Sequence, residues 1–392
     1  MVVHALDQSP MWRAKSIARA LHRIGFEVDI VGMLRNGPLP TASSEDRIRY
    51  RSGTSIEEVT SQIDGDAVYA FKPLPSTLMP ALKASRFGQK LPILLDVEQD
   101  DLGVCGRGFT TRFMRGIRDV GRPPTGYLNS VTHGLRRFCD VVTVSNSTLQ
   151  HFYGGSKIIH GPSEHIFDPS RVKLSAERCR TRFGLPLERR LVLHTGRPQE
   201  DEGFAEIVSA THDAGFDLVL SGDRNDLMFQ NARLRLGSRC HLLGRVSQQQ
   251  MPILFKAVDI VPFPLHDAPS THVQMPSRLL QAMAMGRSVV VSSVGDLPSI
   301  IDSESPSPAG WQVAPANASE LVTAFRAIDQ SPLARKQRGQ AAREIFLREA
   351  SAESNANRME ELFQSNSRLR PLVELAAQSR PYGNIVPHRR SA

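Results

Sequence analysis

Short runs of β-branched and aliphatic residues recur along this chain, each separated from the next by a segment with helical spacing. In the first half, Val2 to Leu6, Phe26 to Gly32, Ala67 to Phe71, Pro92 to Asp96 and Asp140 to Ser145 read as strands. In the second, Leu191 to His194, Phe216 to Ser221, Cys240 to Gly244, Ile260 to Phe263 and Ser288 to Ser292 repeat the rhythm. Helical segments fall at about 76–87, 130–138, 203–213, 249–257, 276–285 and 317–328, with another running through Ile17, Ala18 and Leu21. Alternation of this kind demands an α/β fold with a parallel, doubly wound sheet. The 392 residues exceed one ordinary core, so two such units are expected. The charged segment 170–190 marks their boundary, giving units 1–168 and 169–349, with a loosely ordered tail at 367–392.

In doubly wound sheets, ligands bind beyond the carboxyl ends of strands. That rule selects Asp7 to Ser9, Lys72 and Asp96 to Asp101 in the first half. In the second it selects Thr195-Gly-Arg-Pro198, Ser221-Gly-Asp-Arg224, Leu243-Gly-Arg-Val246 and the Ser270-Thr-His272 loop. Glycine there admits a ligand to the backbone, and arginine forks onto phosphate. Pro276 to Gly286 reads as a short helix that proline opens and glycine closes. Arg278 and Gln281 share one face near its start, a natural anion site. No G-x-G-x-x-G occurs, which argues against a plain dinucleotide-binding dehydrogenase.

The net charge of +8 favours anionic partners: nucleotide phosphates, anionic lipid or nucleic acid. Cys105, Cys139, Cys179 and Cys240 are widely spaced, so neither a zinc site nor a disulfide framework is indicated and a reducing compartment is expected. No apolar run is long enough to span a membrane, and no signal-peptide pattern opens the chain. Residues 102–126 interleave Arg107, Arg112, Arg115, Arg118 and Arg122 with Phe109, Phe113 and Ile117. This stretch suits either peripheral contact with an anionic membrane or a solvated loop. The histidines His133, His151, His160 and His165 lack metal-ligand spacing.

The second-half motifs resemble the donor domain of retaining GT-B glycosyltransferases of the GT4-like, glycosyl transferases group 1 kind. The resemblance rests on Thr195-Gly-Arg197 with Gly203, Leu243 to Val246, Ala257 to Pro262, Pro276 to Val291 and Val294 to Pro298. The first half resembles the acceptor domain less sharply, through Asp140 to Ser145 and Phe167-Asp-Pro169. It implies the GT-B architecture, two Rossmann-like domains facing each other across a cleft, with a C-terminal helix at about 350–366 packing back on the first. It implies transfer of a hexose from a nucleotide-diphosphate sugar to a hydroxyl of a glycan, lipid-linked or small-molecule acceptor, with retention. Neither a metal nor another cofactor is implied, no nucleic-acid partner is expected, and the location is cytoplasmic.

Arg197, Arg278 and Asp96 are the catalytic candidates. Arg197 matches the diphosphate-binding arginine that the resemblance implies. Asp96, with Glu98, Asp100 and Asp101, stands where it implies a histidine facing the transferred sugar, a cluster suited to orienting an acceptor hydroxyl, binding a cation or forming a solvated turn. Gly196, Arg197, Gly222, Arg245, Val246, Ser277, Arg278 and Gln281 would bind the donor; Asp7, Ser9, Glu98, Ser270 and His272 would meet the acceptor or the transferred sugar. Three positions depart from the pattern. The phosphate-binding lysine falls at Glu202, and the two sugar- and ribose-binding glutamates fall at Val273 and Gln281. Either Arg278 supplies the missing cation, with Gln274, Ser270 and His272 taking over the sugar, or the protein is a degenerate subunit that stabilises an active transferase.

Overall fold

The computed structural model describes residues 1–6, 11–34, 39–40, 48–86, 90–98 and 134–378. The expectations for Asp7, Ser9, Asp100, Asp101 and the basic stretch 102–126 lie outside the described residues.

The strands are β1 (Val2–Ala5), β2 (Asp29–Met33), β3 (Arg49–Gly53), β4 (Val68–Phe71), β5 (Ile93–Val97), β6 (Val141–Val144) and β7 (Ser156–Lys157) in the first half. They form one sheet in the order β3-β2-β1-β4-β5-β6-β7. The second half supplies β8 (Leu191–Thr195), β9 (Asp217–Ser221), β10 (Cys240–Leu242), β11 (Ile260–Phe263), β12 (Ser288–Ser292) and β13 (Trp311–Val313), in the order β10-β9-β8-β11-β12-β13. Every pairing is parallel, and β8 to β9 runs in register from Leu191 opposite Asp217 to Thr195 opposite Ser221. Strand order reverses between β1 and β4 and again between β8 and β11, which opens a crevice at the carboxyl edge of each sheet. The central strands are buried on both faces, as their unbroken apolar runs require. The edge strands β3, β7 and β13 carry no such signal: β3 reads Arg-Tyr-Arg-Ser-Gly, and β7 has two residues.

Two helices run through the chain's end, Pro332–Glu349 and Ala352–Ser365, with Ser351 capping the second through the Ser354 N–H at 3.0 Å. The tail is not loose from residue 367, because a further helix, Arg370–Gln378, buries Val373 and Ala376. Leu369 is buried just before it, and Arg368 forks onto the Asp140 carboxylate at 2.8 and 2.9 Å. Residues 379–392 lie outside the described residues. The helix Ala352–Ser365 returns to the first sheet, where Met359 and Phe363 share a core with Ile17, Leu21 and Ile24. Phe363 meets Phe26 edge to face, with ring centroids 6.0 Å apart.

Inside the first half, Arg13 is 2% exposed and Asp96 is 0% exposed. The guanidinium forks onto the carboxylate, Nε to Oδ2 at 2.8 Å and Nη2 to Oδ1 at 2.9 Å. The Thr143 hydroxyl donates to Oδ1 at 2.8 Å. Both Asp96 oxygens are therefore consumed, and no face of the side chain is open. The catalytic role expected for Asp96 is corrected: it is half of a buried ion pair joining the Met11–Arg23 helix to β5. Removing one partner of such a pair strands a buried charge. Arg13→Met is expected to cost about 3–5 kcal/mol in urea denaturation, and Arg13→Met with Asp96→Leu to recover most of it.

His160 and His194 are both buried, and both titrate well below the ordinary 6.5. Burial is the main cause, helped by Arg13 and Arg19 at His160 and by Arg278 at His194. As pH falls below 6.5, the unfolded chain takes up protons that the folded chain refuses, so stability is full above 6.5 and drops below it. The expected slope reaches about 1.4 kcal/mol per pH unit for each histidine. Urea midpoints between about pH 7.5 and pH 5.5 check it, and His160→Gln should flatten the slope.

Candidate functional site

The carboxyl edge of the second sheet is built from glycines. β8 ends at Thr195, and Gly196 turns away with φ +86°, its N–H donating to the Ser221 carbonyl at 2.7 Å. Gly222 follows β9, donates to the Gly244 carbonyl at 3.1 Å, and leaves no room for a side chain: a Cβ there would lie 2.7 Å from the Gly196 oxygen. At Gly203 (φ +72°), which caps the helix Phe204–Ala214, a Cβ would overlap the Pro264 carbonyl at the end of β11. The strand ends on both sides of the crevice are thus backbone packed on backbone. Above Gly196, by contrast, the nearest atoms to a Cβ position are Arg278 Cδ and Nη1, both at 3.8 Å. That leaves the turn open to a ligand.

Arg197 follows this turn, exposed, and has no ion-pair or hydrogen-bond partner among the described residues. The helix Ser277–Ala284 approaches from the other side, with Pro276 at its N-cap and Gly286 at φ +62° beyond its end. It buries Leu279, Leu280, Ala282, Met283 and Ala284 and leaves Ser277, Arg278 and Gln281 half-buried. Arg278 is not a free cation. Its Nη2 pairs with the Glu202 carboxylate and its Nη1 donates to the Thr195 carbonyl, with His194 Nε2 3.4 Å away. Gln199 donates to the other Glu202 oxygen at 3.0 Å. Glu202, standing where the resemblance implies a lysine, and Arg278 therefore compensate one another. His194 packs edge to face on Phe204 at 4.9 Å and is held neutral by burial and by the Arg278 charge.

The remaining expected residues divide. Gly196, Arg197 and Arg278 gather at the β8 end, with Gly222 against Gly196; Ser277 and Gln281 lie on the same helix as Arg278. Arg245 and Val246 follow β10 at the sheet's edge; Arg245 is 83% exposed, 3.8 Å from Asp223. Ser270 donates to Asp201 at 2.8 Å, and His272 pairs with Asp267 at 2.6 Å. His272 and Asp267 line an open pocket of about 300 Å³ with Ala268, Pro269 and Thr148, the last from the first half. Glu98 follows β5 in the first half, its carbonyl accepting the Ser145 hydroxyl at 2.7 Å, and Asp96 is sealed away beside it. Lys72 ends β4 with φ +72°, backbone strain of the kind that collects at functional edges. Among the described residues no three His, Cys, Asp or Glu side chains come together as metal ligands.

Three features escaped sequence reasoning. The Glu202–Arg278 pair had a signal, an acid where the resemblance implies a lysine and an arginine 76 residues on, but pairing them needed the fold. Val273 is 3% exposed and packs in the core of the first half, while its carbonyl accepts from Asn146 Nδ2 at 2.7 Å. Asp296 reaches the same half, accepting from the Ser147 N–H at 3.0 Å and from Lys157 Nζ at 3.1 Å. Together these contacts join the two halves beside the crevice.

Residues 189–330 match the family model described as Glycosyl transferases group 1. Among curated proteins, the chain is 26% identical over 213 residues to 2-deoxystreptamine glucosyltransferase of Streptomyces kanamyceticus, covering 50% of this chain and 53% of that one. The chain thus spans about half the length of that relative. It is also 26% identical over 337 residues to an uncharacterized glycosyltransferase of Methanocaldococcus jannaschii, covering 74% and 78% respectively. Anabaena HepE, solved with UDP and glucose, has a TM-score of 0.70 at 16% identity, covering 93% of this chain and 99% of its own. HepE has also been solved with UDP-glucose. That likeness is one of fold. No described helix is long and apolar enough to cross a membrane. The matched segment and the shared architecture give the chain the GT-B fold of two Rossmann-like domains, with residues 189–330 similar to the glycosyl transferases group 1 family.

Proposed function

We propose that this protein is a glycosyltransferase that moves a hexose from a nucleotide-diphosphate sugar to a hydroxyl acceptor, with retention at the anomeric carbon. The observation that carries the reading is the open Gly196–Arg197 turn at the switch point of the second sheet, where Arg197 has no ion-pair partner among the described residues and Arg278, from the first turn of the Ser277–Ala284 helix, lies over Gly196. Two curated relatives named as glycosyltransferases support it, as does the nucleotide-sugar complex of a protein with the same fold.

The chemistry needs charge at the leaving diphosphate more than a reactive side chain. Arg197 supplies a full positive charge that forks onto phosphate oxygens. The unpaired N–H groups of the Ser277–Ala284 helix add the positive end of its dipole. Gln281 offers an amide to donor hydroxyls where a glutamate would only accept. Arg278, held by Glu202 and the Thr195 carbonyl, presents an oriented guanidinium whose net charge is already balanced. The acceptor would enter from the side of His272, Asp267 and Thr148, between the two halves.

Incubation with a panel of UDP-, GDP- and dTDP-sugars, read by hydrolysis or transfer, tests the activity. No turnover, together with no thermal shift from any nucleotide, overturns it; nucleotide binding without turnover would favour the degenerate subunit instead. Calorimetry with the matching nucleoside diphosphate tests the roles. Arg197→Ala should weaken binding about 10–100-fold, the worth of a charge-assisted contact. Arg278→Ala, which leaves Glu202 facing the phosphates, should weaken it about tenfold, and Glu202→Gln should tighten it by a similar factor.

A further inference from the structure

At the opposite, amino-terminal edge of the second sheet, four arginines surround one carboxylate. Asp259 precedes β11, Arg190 precedes β8 and Arg287 precedes β12. Arg180 comes from the helix Ala176–Arg182 and Arg335 from the first turn of Pro332–Glu349. Asp259 Oδ2 is fully engaged, by Arg180 Nη2 at 2.8 Å and the Leu191 N–H at 2.9 Å. Its Oδ1 is shared loosely, with Arg335 Nη1 at 3.5 Å and Arg190 Nη1 at 4.0 Å. Arg190 also pairs with Asp329. Arg287 reaches only the Val258 carbonyl, at 3.4 Å.

The charges do not balance. Four guanidiniums face two carboxylates, Asp259 and Asp329, so two positive charges are left over. Their donors are not satisfied either: Arg287 Nε and Arg335 Nη1 are buried atoms with no hydrogen-bond partner among the described residues. Burial lowers the Arg287 pKa, and the Arg335 charge adds to that effect against the pull of Asp259. A buried donor without a partner costs free energy that an anion would recover. The cluster is reachable, since the Arg190 and Arg335 side chains are 38% and 28% exposed. Three Asp259 partners, Arg180, Arg190 and Arg335, with Arg287 beside them, bring donors from separate elements to one place, the chemistry that recognises a phosphoryl group.

We infer that Arg190, Arg287 and Arg335 form a second anion site, for a phosphoryl group, at the amino edge of the second domain. The site is separate from the donor crevice: β8 runs between them, about 20 Å from Arg190 to Gly196 at strand rise. It does not depend on the proposed transfer reaction. A dianion here would tie the Pro332–Glu349 helix to the starts of β8 and β12, and Gly339 of that helix packs directly on Gly286, at the end of the donor-side helix.

Titration of the full chain with inorganic phosphate, read by calorimetry and thermal shift, is the test, with Arg197→Ala as background so that the donor crevice does not report. Saturable binding is expected, weakened about tenfold by Arg335→Gln and again by Arg190→Gln. Circular dichroism confirms that each variant is folded, and Arg190→Lys should retain most of the binding. Phosphate binding that is unchanged in Arg190→Gln and Arg335→Gln overturns the site, as does the absence of binding to both phosphate and vesicles. Vesicles containing phosphatidic acid distinguish the source. Sedimentation with them that is lost in the same two variants identifies a lipid headgroup; phosphate binding without sedimentation identifies a soluble phosphate.

Discussion

At Gly203 the chain leaving β8 lies so close to the Pro264 carbonyl that no side chain fits between them, and at Gly222 the same holds against the Gly196 oxygen. These contacts lock the two strand ends flanking the switch point to one another and to β9. The open space over Gly196 exists because everything around it is closed. A ligand phosphate meets a rigid backbone turn, an arginine on one side and a helix start on the other, without reorganising any of them. Preorganisation of that kind is what lets a site act through electrostatics alone.

The exchange of charge around that turn is the chain's main departure from the pattern that the glycosyltransferase resemblance implies. A lysine at position 202 would add a second free cation to Arg197. Glu202 instead spends its charge on Arg278, and the Thr195 carbonyl takes another donor of the same guanidinium. The crevice therefore gains a well-oriented, nearly neutral fork and keeps one uncompensated charge. The surplus of arginine lies elsewhere in the same domain, at the amino edge around Asp259, so the +8 of the whole chain is a poor guide to where anions would meet it.

Much of this was legible in the residues. Runs such as Leu191-Val-Leu and Val289-Val-Val cannot be satisfied except between two helical layers, so both sheets and their carboxyl edges followed from pattern. Glycine and arginine at Gly196 and Arg197 located the crevice for a physical reason, approach and charge. Asp96 misled because an acid at the carboxyl end of a strand looks functional until its partner is known, and Arg13 stands 83 residues away in sequence. Val273 was silent for the opposite reason: an apolar residue in a loop gives no sign that it packs into the other half. Edge strands such as Ser156–Lys157 are too short to carry any period at all.

The return of the C-terminal helices to the first sheet bears on how the chain is made. Ile17, Leu21 and Ile24 are covered by Met359, Phe363 and Val373, more than 300 residues downstream. During synthesis from the N-terminus, the first sheet therefore waits with an apolar face bare while the whole second domain is produced and folds. The second domain needs nothing beyond about residue 350 to close its own core. Maturation should then run back to front, the later half becoming native first and the earlier half last.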